Sequence, residues 1–248
     1  MRSTTMEQWL RRWDAQQERN IPDREERFRV VIDVVRAVTA DGPARVVDLG
    51  CGPGSLSARL AAELPRAEMV GVDADPLLLG LGAANTGPRV RLVEADLADP
   101  GWPERTGLAG PWDAAVSSTA LHWLHPDTLA ALYRTLAERI RPGGVFVNAD
   151  HLGLATPGLD GLAESVRKAR TARVGTDQNE DWAEWWQSLL ADEELAPLVD
   201  ARSERAIAHD GDNGLTVADH ARLLRTAGFT EAGPLWQFGD DHVLTAIR

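Results

Sequence analysis

Two short runs carry side chains able to move a proton or orient an oxygen. They are Leu121-His122-Trp123-Leu124-His125 and Asn148-Ala149-Asp150-His151. Histidine changes charge near neutral pH, and a carboxylate beside it fixes its ring and tautomer. Asp150 and His151 therefore read as an orienter and a base, and His122 and His125 offer the same imidazole chemistry. His122 suits orienting an acidic substrate or taking a proton from a hydroxyl, and equally suits a buried histidine bonded to backbone. Polar residues at 150 and 151 also suit a hinge.

A second set works through backbone. Val46-Val47-Asp48-Leu49-Gly50-Cys51-Gly52-Pro53-Gly54 reads as a buried strand running into a glycine turn, and Ser55 to Leu64 as the helix that follows. Glycines at 50, 52 and 54 permit positive φ and remove the Cβ atoms that would hold a ligand off the main chain. A glycine turn opening a helix is also a phosphate device, but the dinucleotide fingerprint needs G-x-G-x-x-G, and here the spacing is Gly50-x-Gly52-x-Gly54. Met69-Val70-Gly71-Val72-Asp73 is a second apolar strand ending in an acid, at the distance expected of a ribose-binding carboxylate in a βαβ unit.

The ordered set resembles the class I S-adenosylmethionine-dependent methyltransferases of the small-molecule type, over roughly residues 41 to 150. The segment Asp48 to Gly54 resembles that family's motif I, written E/D-x-G-x-G-x-G. Arg89 to Leu97 resembles its third strand, Trp112 to Ser118 its fourth strand and functional mouth, and Arg141 to Val147 its turn and fifth strand. Leu121-His122-Trp123 resembles a stretch seen in trans-aconitate methyltransferases and related carboxyl methyltransferases.

The resemblance implies S-adenosylmethionine as cofactor. It would lie against Asp48, Gly50, Cys51 and Gly52, with Asp73 on the ribose hydroxyls and Ala74 beside it. Asp96 would meet the adenine amino group, Leu97 would place backbone beside the ring, and Ser117 would stand at the mouth. The activity implied is methyl transfer to a small organic acceptor, most readily at a carboxylate or hydroxyl oxygen. N-methylation of an amine or heterocycle and a non-catalytic cofactor-binding module are the alternatives. A nicotinamide dehydrogenase is disfavoured by the glycine spacing and by the lack of a Tyr/Lys pair. Positioning supplies roughly 7–11 kcal/mol in such a displacement, and a general base only about 10²–10⁴-fold, so few catalytic side chains are required.

Bulk properties narrow the field. A net charge of −12 argues against a nucleic-acid partner. Lys168 is the only lysine, which leaves little room for lysine chemistry. Cys51 is the only cysteine, so there is neither an intrachain disulfide nor a cysteine cluster for zinc, and a small side chain packed behind the turn is its simplest role. No third oxygen ligand joins Asp150 and Asn148, so no metal is expected. No secretory core and no run of about eighteen apolar residues is present, which predicts a soluble, cytoplasmic protein without a membrane partner. Oligomeric state is not legible.

These residues require strand tips to hold them. The alternation of apolar strands and amphipathic helices predicts an α/β fold: a doubly wound, mostly parallel sheet of seven strands, the last antiparallel, with a hairpin turning at Gly239-Asp240-Asp241. Residues 1–40 form a helical cap broken at Ile21-Pro22-Asp23, from which Trp13, Gln16 or Arg24 would reach the cofactor or pack on the core edge. Residues 41–150 are the cofactor-binding core. Residues 151–215 are a helical lid ending in the turn Asp210-Gly211-Asp212-Asn213-Gly214, and 216–248 return to the core behind a helix capped by Thr216. Trp182, Trp185 and Trp186 share one helical face, either fastening the lid or walling a substrate.

Overall fold

The strand Ala44–Leu49 (β1) is almost wholly buried, as an apolar run covered on both faces must be. In a computed structural model describing residues 3–40, 42–205, 207 and 211–248, it lies at the centre of a seven-stranded sheet. Asp210, which the sequence places in the turn after the lid, lies outside the described residues. The other strands are Ala67–Asp73 (β2), Val90–Glu94 (β3), Trp112–Ser118 (β4), Ile140–His151 (β5), Glu231–Phe238 (β6) and Asp241–Ile247 (β7). Their order is β3-β2-β1-β4-β5-β7-β6. The first five are parallel, and β7 runs antiparallel to both neighbours.

Ten α-helices surround the sheet among the described residues: Ser3–Asn20 (α1), Arg24–Thr39 (α2), Ser55–Glu63 (α3), Pro76–Thr86 (α4), Trp102–Arg105 (α5), Pro126–Arg139 (α6), Pro157–Val174 (α7), Trp182–Leu190 (α8), Ala196–Ser203 (α9) and Val217–Ala227 (α10). Strand alternation separates two cores. Val47, Leu49, Phe146 and Leu244 meet Leu129, Tyr133 and Leu136 of α6 and Leu224 of α10 on one face. Val46, Val116, Val147 and Val243 meet Phe28 and Val31 of α2 and Leu56 and Leu60 of α3 on the other. The α10 start is a reciprocal cap: the Thr216 hydroxyl accepts from Asp219 N–H, and the Asp219 carboxylate accepts from Thr216 N–H.

Strand order reverses between β1 and β4, so the chain leaves these two neighbours in opposite directions and opens a crevice at their carboxyl ends. The glycine turn after β1 and the segment after β4 face each other across it. The helices of residues 157–203 reach over this edge and fasten to α1. Trp185 is fully buried between Trp9 and Trp13, with ring centroids 5.9 and 5.0 Å away. Bidentate pairs reinforce the attachment, Arg12 to Glu180 and Arg170 to Asp23. Asp23 is therefore spent on the lid and makes no side-chain cap for α2.

Candidate active site

A cavity of about 490 Å³ occupies the crevice. Its floor is the turn after β1. Gly50 and Gly52 sit at φ +64° and +53°, a region that L side chains rarely enter, and a Cβ on Gly50 would collide with that of Ala120. A Cβ on Gly52 would stand in ordinary contact with the Trp13 ring at 3.6 Å, so it is the backbone conformation, not crowding, that calls for glycine there, and the α1 indole lies against the turn.

Two buried acids border the floor. Asp48 is buried and accepts from the Ser57 hydroxyl at 2.6 Å. Burial pushes its carboxyl up to about 7, against the pull of the Ser57 bond and with help from the Asp73 charge. Asp73, at the tip of β2, accepts Gly52 N–H at 2.7 Å on one oxygen and Asp75 N–H at 2.9 Å on the other. Burial raises it to about 6 although those backbone bonds oppose the shift. Each oxygen keeps a lone pair, so two hydroxyls can still be accepted side by side.

The expectations for the rest of this set divide. Cys51 lines the cavity, and burial drives its thiol well above the ordinary value, which suits packing and not nucleophilic attack. Ala74, Asp96, Leu97 and Ser117 are not among the lining residues. Asp96 is exposed and accepts from Ala98 N–H at 2.8 Å, making a turn after β3, while Leu97 packs against the sheet core. The Ser117 hydroxyl is consumed by the Leu49 carbonyl at 2.8 Å and ties β4 to β1. Its neighbour Ser118 faces the cavity instead. Of the three residues suggested in the helical cap, Trp13 and Arg24 line the cavity. Gln16 does not, and its buried amide has no partner among the described residues.

The opposite wall holds the titratable groups. His122 sits in a single 3-10 turn, Leu121–Trp123, and its Nδ1 lies 2.9 and 3.1 Å from the two oxygens of Asp150. The expected pairing of Asp150 with His151 is therefore corrected. Adjacent residues of β5 project to opposite faces, and Asp150 points toward His122 while His151 points away. His151 Nδ1 faces Asp240 at 3.6 Å, in the β6–β7 hairpin turn. His125 is also corrected: it is exposed, and its Nδ1 accepts from Asp127 N–H at 3.4 Å to start α6.

Burial works to lower the His122 pKa, but the charge and hydrogen bond of Asp150, with the Asp212 charge, outweigh it and hold the imidazole above its ordinary value. Burial likewise works to raise Asp150, and His122, His151 and Arg27 together hold it below the usual carboxylate range. Arg27 is completely buried. It donates to Asp241 at 2.8 Å, Ser118 at 2.9 Å and Thr119 at 2.6 Å, pinning the β4 tip, where Thr119 adopts φ +57°.

Residue spacing gave no signal for Arg27, Arg167 or Asp212. Asp240 had one, since a strand antiparallel to β5 must begin beside the end of β5, and His151 does pair with Asp241. Within the tryptophan stripe, Trp185 is buried against α1 and Trp182 lines the cavity. Among the described residues no group of three or more His, Cys, Asp or Glu is placed to hold a metal ion, and no helix is long and apolar enough to cross a membrane.

Residues 46–144 match the family described as methyltransferase domain. Trans-aconitate 2-methyltransferase of Azoarcus sp. (strain BH72) is 39% identical over 133 residues, 54% of this chain and 48% of that protein. The enzyme of that name from Methylobacterium radiotolerans is 31% identical over 189 residues, 75% of this chain and 62% of that one. The chain thus spans about half the length of the curated relatives it matches. Magnesium protoporphyrin IX methyltransferase from Synechocystis PCC 6803, solved with bound SAH, has a TM-score of 0.60 at 18% identity, covering 96% of this chain and 94% of its own. An O-methyltransferase family protein from Burkholderia thailandensis gives 0.55 at 19%, over 89% and 55%. These structures share the fold. In sequence over residues 46–144, and in fold, the chain is similar to the class I S-adenosylmethionine-dependent methyltransferases.

Proposed function

We propose that this protein transfers a methyl group from S-adenosylmethionine to an oxygen of a small organic acceptor, and that the oxygen belongs to a carboxylate. The observation carrying this reading is the His122–Asp150 pair, which opens onto the same cavity as the Gly50–Gly52 turn.

The residues of the floor fit the cofactor. Asp73 offers two oxygens to a ribose diol, Gly50 and Gly52 let backbone touch the ligand, and Trp13 covers the turn. Asp48, lifted to about 7 by burial, gains a counter-charge from a ligand ammonium and ionises when one arrives. Bound S-adenosylmethionine supplies an electrophilic methyl group on sulfur, open to in-line displacement.

On the acceptor side, Asp150 accepts the Nδ1 proton of His122 and leaves Nε2 for the cavity. A protonated ring donates there to a carboxylate and orients it, and the raised pKa favours that form. A carboxylate nucleophile needs no base during attack. The relatives named for trans-aconitate, a tricarboxylate, support the same choice. A neutral ring would instead accept a hydroxyl proton, and the paired carboxylate keeps this second reading open. A walled cavity of about 490 Å³ and a net charge of −12 support a small acceptor over a nucleic acid.

The test is incubation with labelled S-adenosylmethionine and a panel of small acids, phenols and amines. Product that releases its label as methanol in mild base is a methyl ester and supports the carboxylate reading. Stable ether supports the hydroxyl reading, and product at nitrogen alone rules out both.

A further inference from the structure

Beyond His122, the acceptor half of the cavity holds a second polar group at the joint between lid and sheet. His151 ends β5, Asp240 turns the β6–β7 hairpin, and Arg167 comes down from α7. All three line the cavity. The joint is tight, since a Cβ on Gly239 would stand 2.7 Å from the Ala163 carbonyl of α7.

Arg167 donates through Nε to both Asp240 oxygens at 3.0 Å, and its terminal N–H groups donate to none of the described residues. His151 is more pointed: both ring nitrogens are buried without a hydrogen-bond partner among the described residues, although one faces Asp240 at 3.6 Å. Burial works to raise Asp240, but His151 and Arg167 bring it to about 2, so it stays ionised and serves to aim the guanidinium. A neutral imidazole carries one N–H and a guanidinium five, so this cluster has donors in excess of its single carboxylate. The buried N–H of His151 lacks an acceptor, which is costly in a folded protein, while the Arg167 terminal N–H groups are open to the cavity, and a ligand oxygen can take both.

We infer that Arg167, with His151, binds an anionic group of the acceptor that is not the one methylated, so the preferred substrates carry a second acid remote from the reacting oxygen. This rests on the reading above for the location of the acceptor but names different residues and a different part of the ligand. The lid would then supply a specificity-determining side chain, and acceptor binding would hold the lid to the hairpin.

The test measures binding by calorimetry to full-length protein saturated with S-adenosylhomocysteine. The probes are trans-aconitate, glutarate and 3-hydroxybenzoate, each beside its methyl ester capped at the carboxylate remote from the methylated atom. For at least one pair the wild type should prefer the acid by about tenfold or more, the scale of a charge-assisted hydrogen bond. Arg167→Gln should erase most of that preference, and Arg167→Lys, which keeps the charge, should restore part of it. Equal binding of acid and ester by the wild type, binding of none of the acids, or equal weakening of acid and ester in Arg167→Gln overturns the inference. Mass spectrometry of the same mixtures reports separately on the reaction. Acid-selective binding that depends on Arg167 but yields no oxygen-methylated product would sink the proposed activity and leave this subsite standing.

Discussion

The Nδ1 of His122 lies 2.9 Å from Oδ1 of Asp150, and that carboxylate has no solvent contact while the imidazole keeps 15% exposure. One partner is thus fixed in the sheet and the other looks into the cavity. The linkage has a definite sign. Asp150 is held low, so its contribution to stability is present above about 3.9, the unfolded value, and is lost as pH falls through the folded one. His122 is held high, so its contribution is complete below about 6.5 and is lost as pH rises through its folded pKa. The pair stabilises the fold most in the window between those limits.

Asp150→Asn removes the charge that holds His122 high, and burial then dominates. The imidazole should titrate lower in proton NMR, the pH optimum of methyl transfer should move down, and turnover should fall about 10²-fold, within the usual span for such groups. Cofactor affinity reports on the other wall and should change little. An unaltered His122 titration would show that Asp150 does not set its charge.

Cofactor affinity should itself depend on pH. Asp73 at about 6 and Asp48 at about 7 are raised by burial, so in the ligand-free protein their protonated forms are favoured on the acid side. A ribose diol and an ammonium both prefer the ionised acids. Binding of S-adenosylmethionine measured by calorimetry should tighten as pH rises from 5 to about 8, with proton release on binding near pH 6. Asp73→Asn should weaken binding and flatten the lower part of this profile. A flat profile in the unmodified protein would remove Asp48 and Asp73 from the cofactor's contacts.

Much of this arrangement is legible in the sequence, and the part that is not has a physical reason. The strand tips could be read because a parallel strand and its glycine turn leave a local signature, as at Val46 to Gly54. The reach of Asp96 could not, because whether a loop carboxylate faces a ligand or caps its own turn depends on one or two dihedral angles. In this structure Asp96 takes the Ala98 N–H. The exchange of partners between His122 and His151 was hidden for another reason: strand alternation fixes which of two neighbours faces the cavity only when the register of the whole sheet is known. Arg167 approaches from a separate helix, and no spacing relates it to Asp240.

The glycine turn should tolerate no side chain. Gly50→Ala places a Cβ on that of Ala120 at a φ of +64°, so either the turn or the segment carrying His122 must move. Strain of this kind costs about 1–3 kcal/mol, and the melting temperature should fall accordingly. Affinity for S-adenosylhomocysteine should fall by about tenfold or more, since the same displacement reaches the cavity floor. A variant that melts lower but binds normally would separate the turn from the ligand.

Trp185 allows the attachment of the lid to be tested apart from the sheet. It is fully buried between Trp9 and Trp13, and Trp13 in turn stands over Gly52. Truncation to alanine removes a large indole from a cluster that α1 and α8 share with Leu195 and with Leu77, Leu78 and Leu81 of α4, at a cost of about 3–5 kcal/mol where a core cannot collapse. Because most of this cluster belongs to α1 and the lid, with α4 alone coming from the α/β core, the loss should appear first as local opening. Hydrogen exchange in Trp185→Ala should rise across α1 and α7 to α9 while β1, β4 and β5 stay protected, and cofactor affinity should fall with the displaced Trp13. Trp185→Phe keeps a ring and removes an indole N–H that has no partner among the described residues, so it should lose far less. Equal loss of protection in lid and sheet would mean that the two unfold as one unit, and the cluster would then be part of the core and not a fastening for a separate cover.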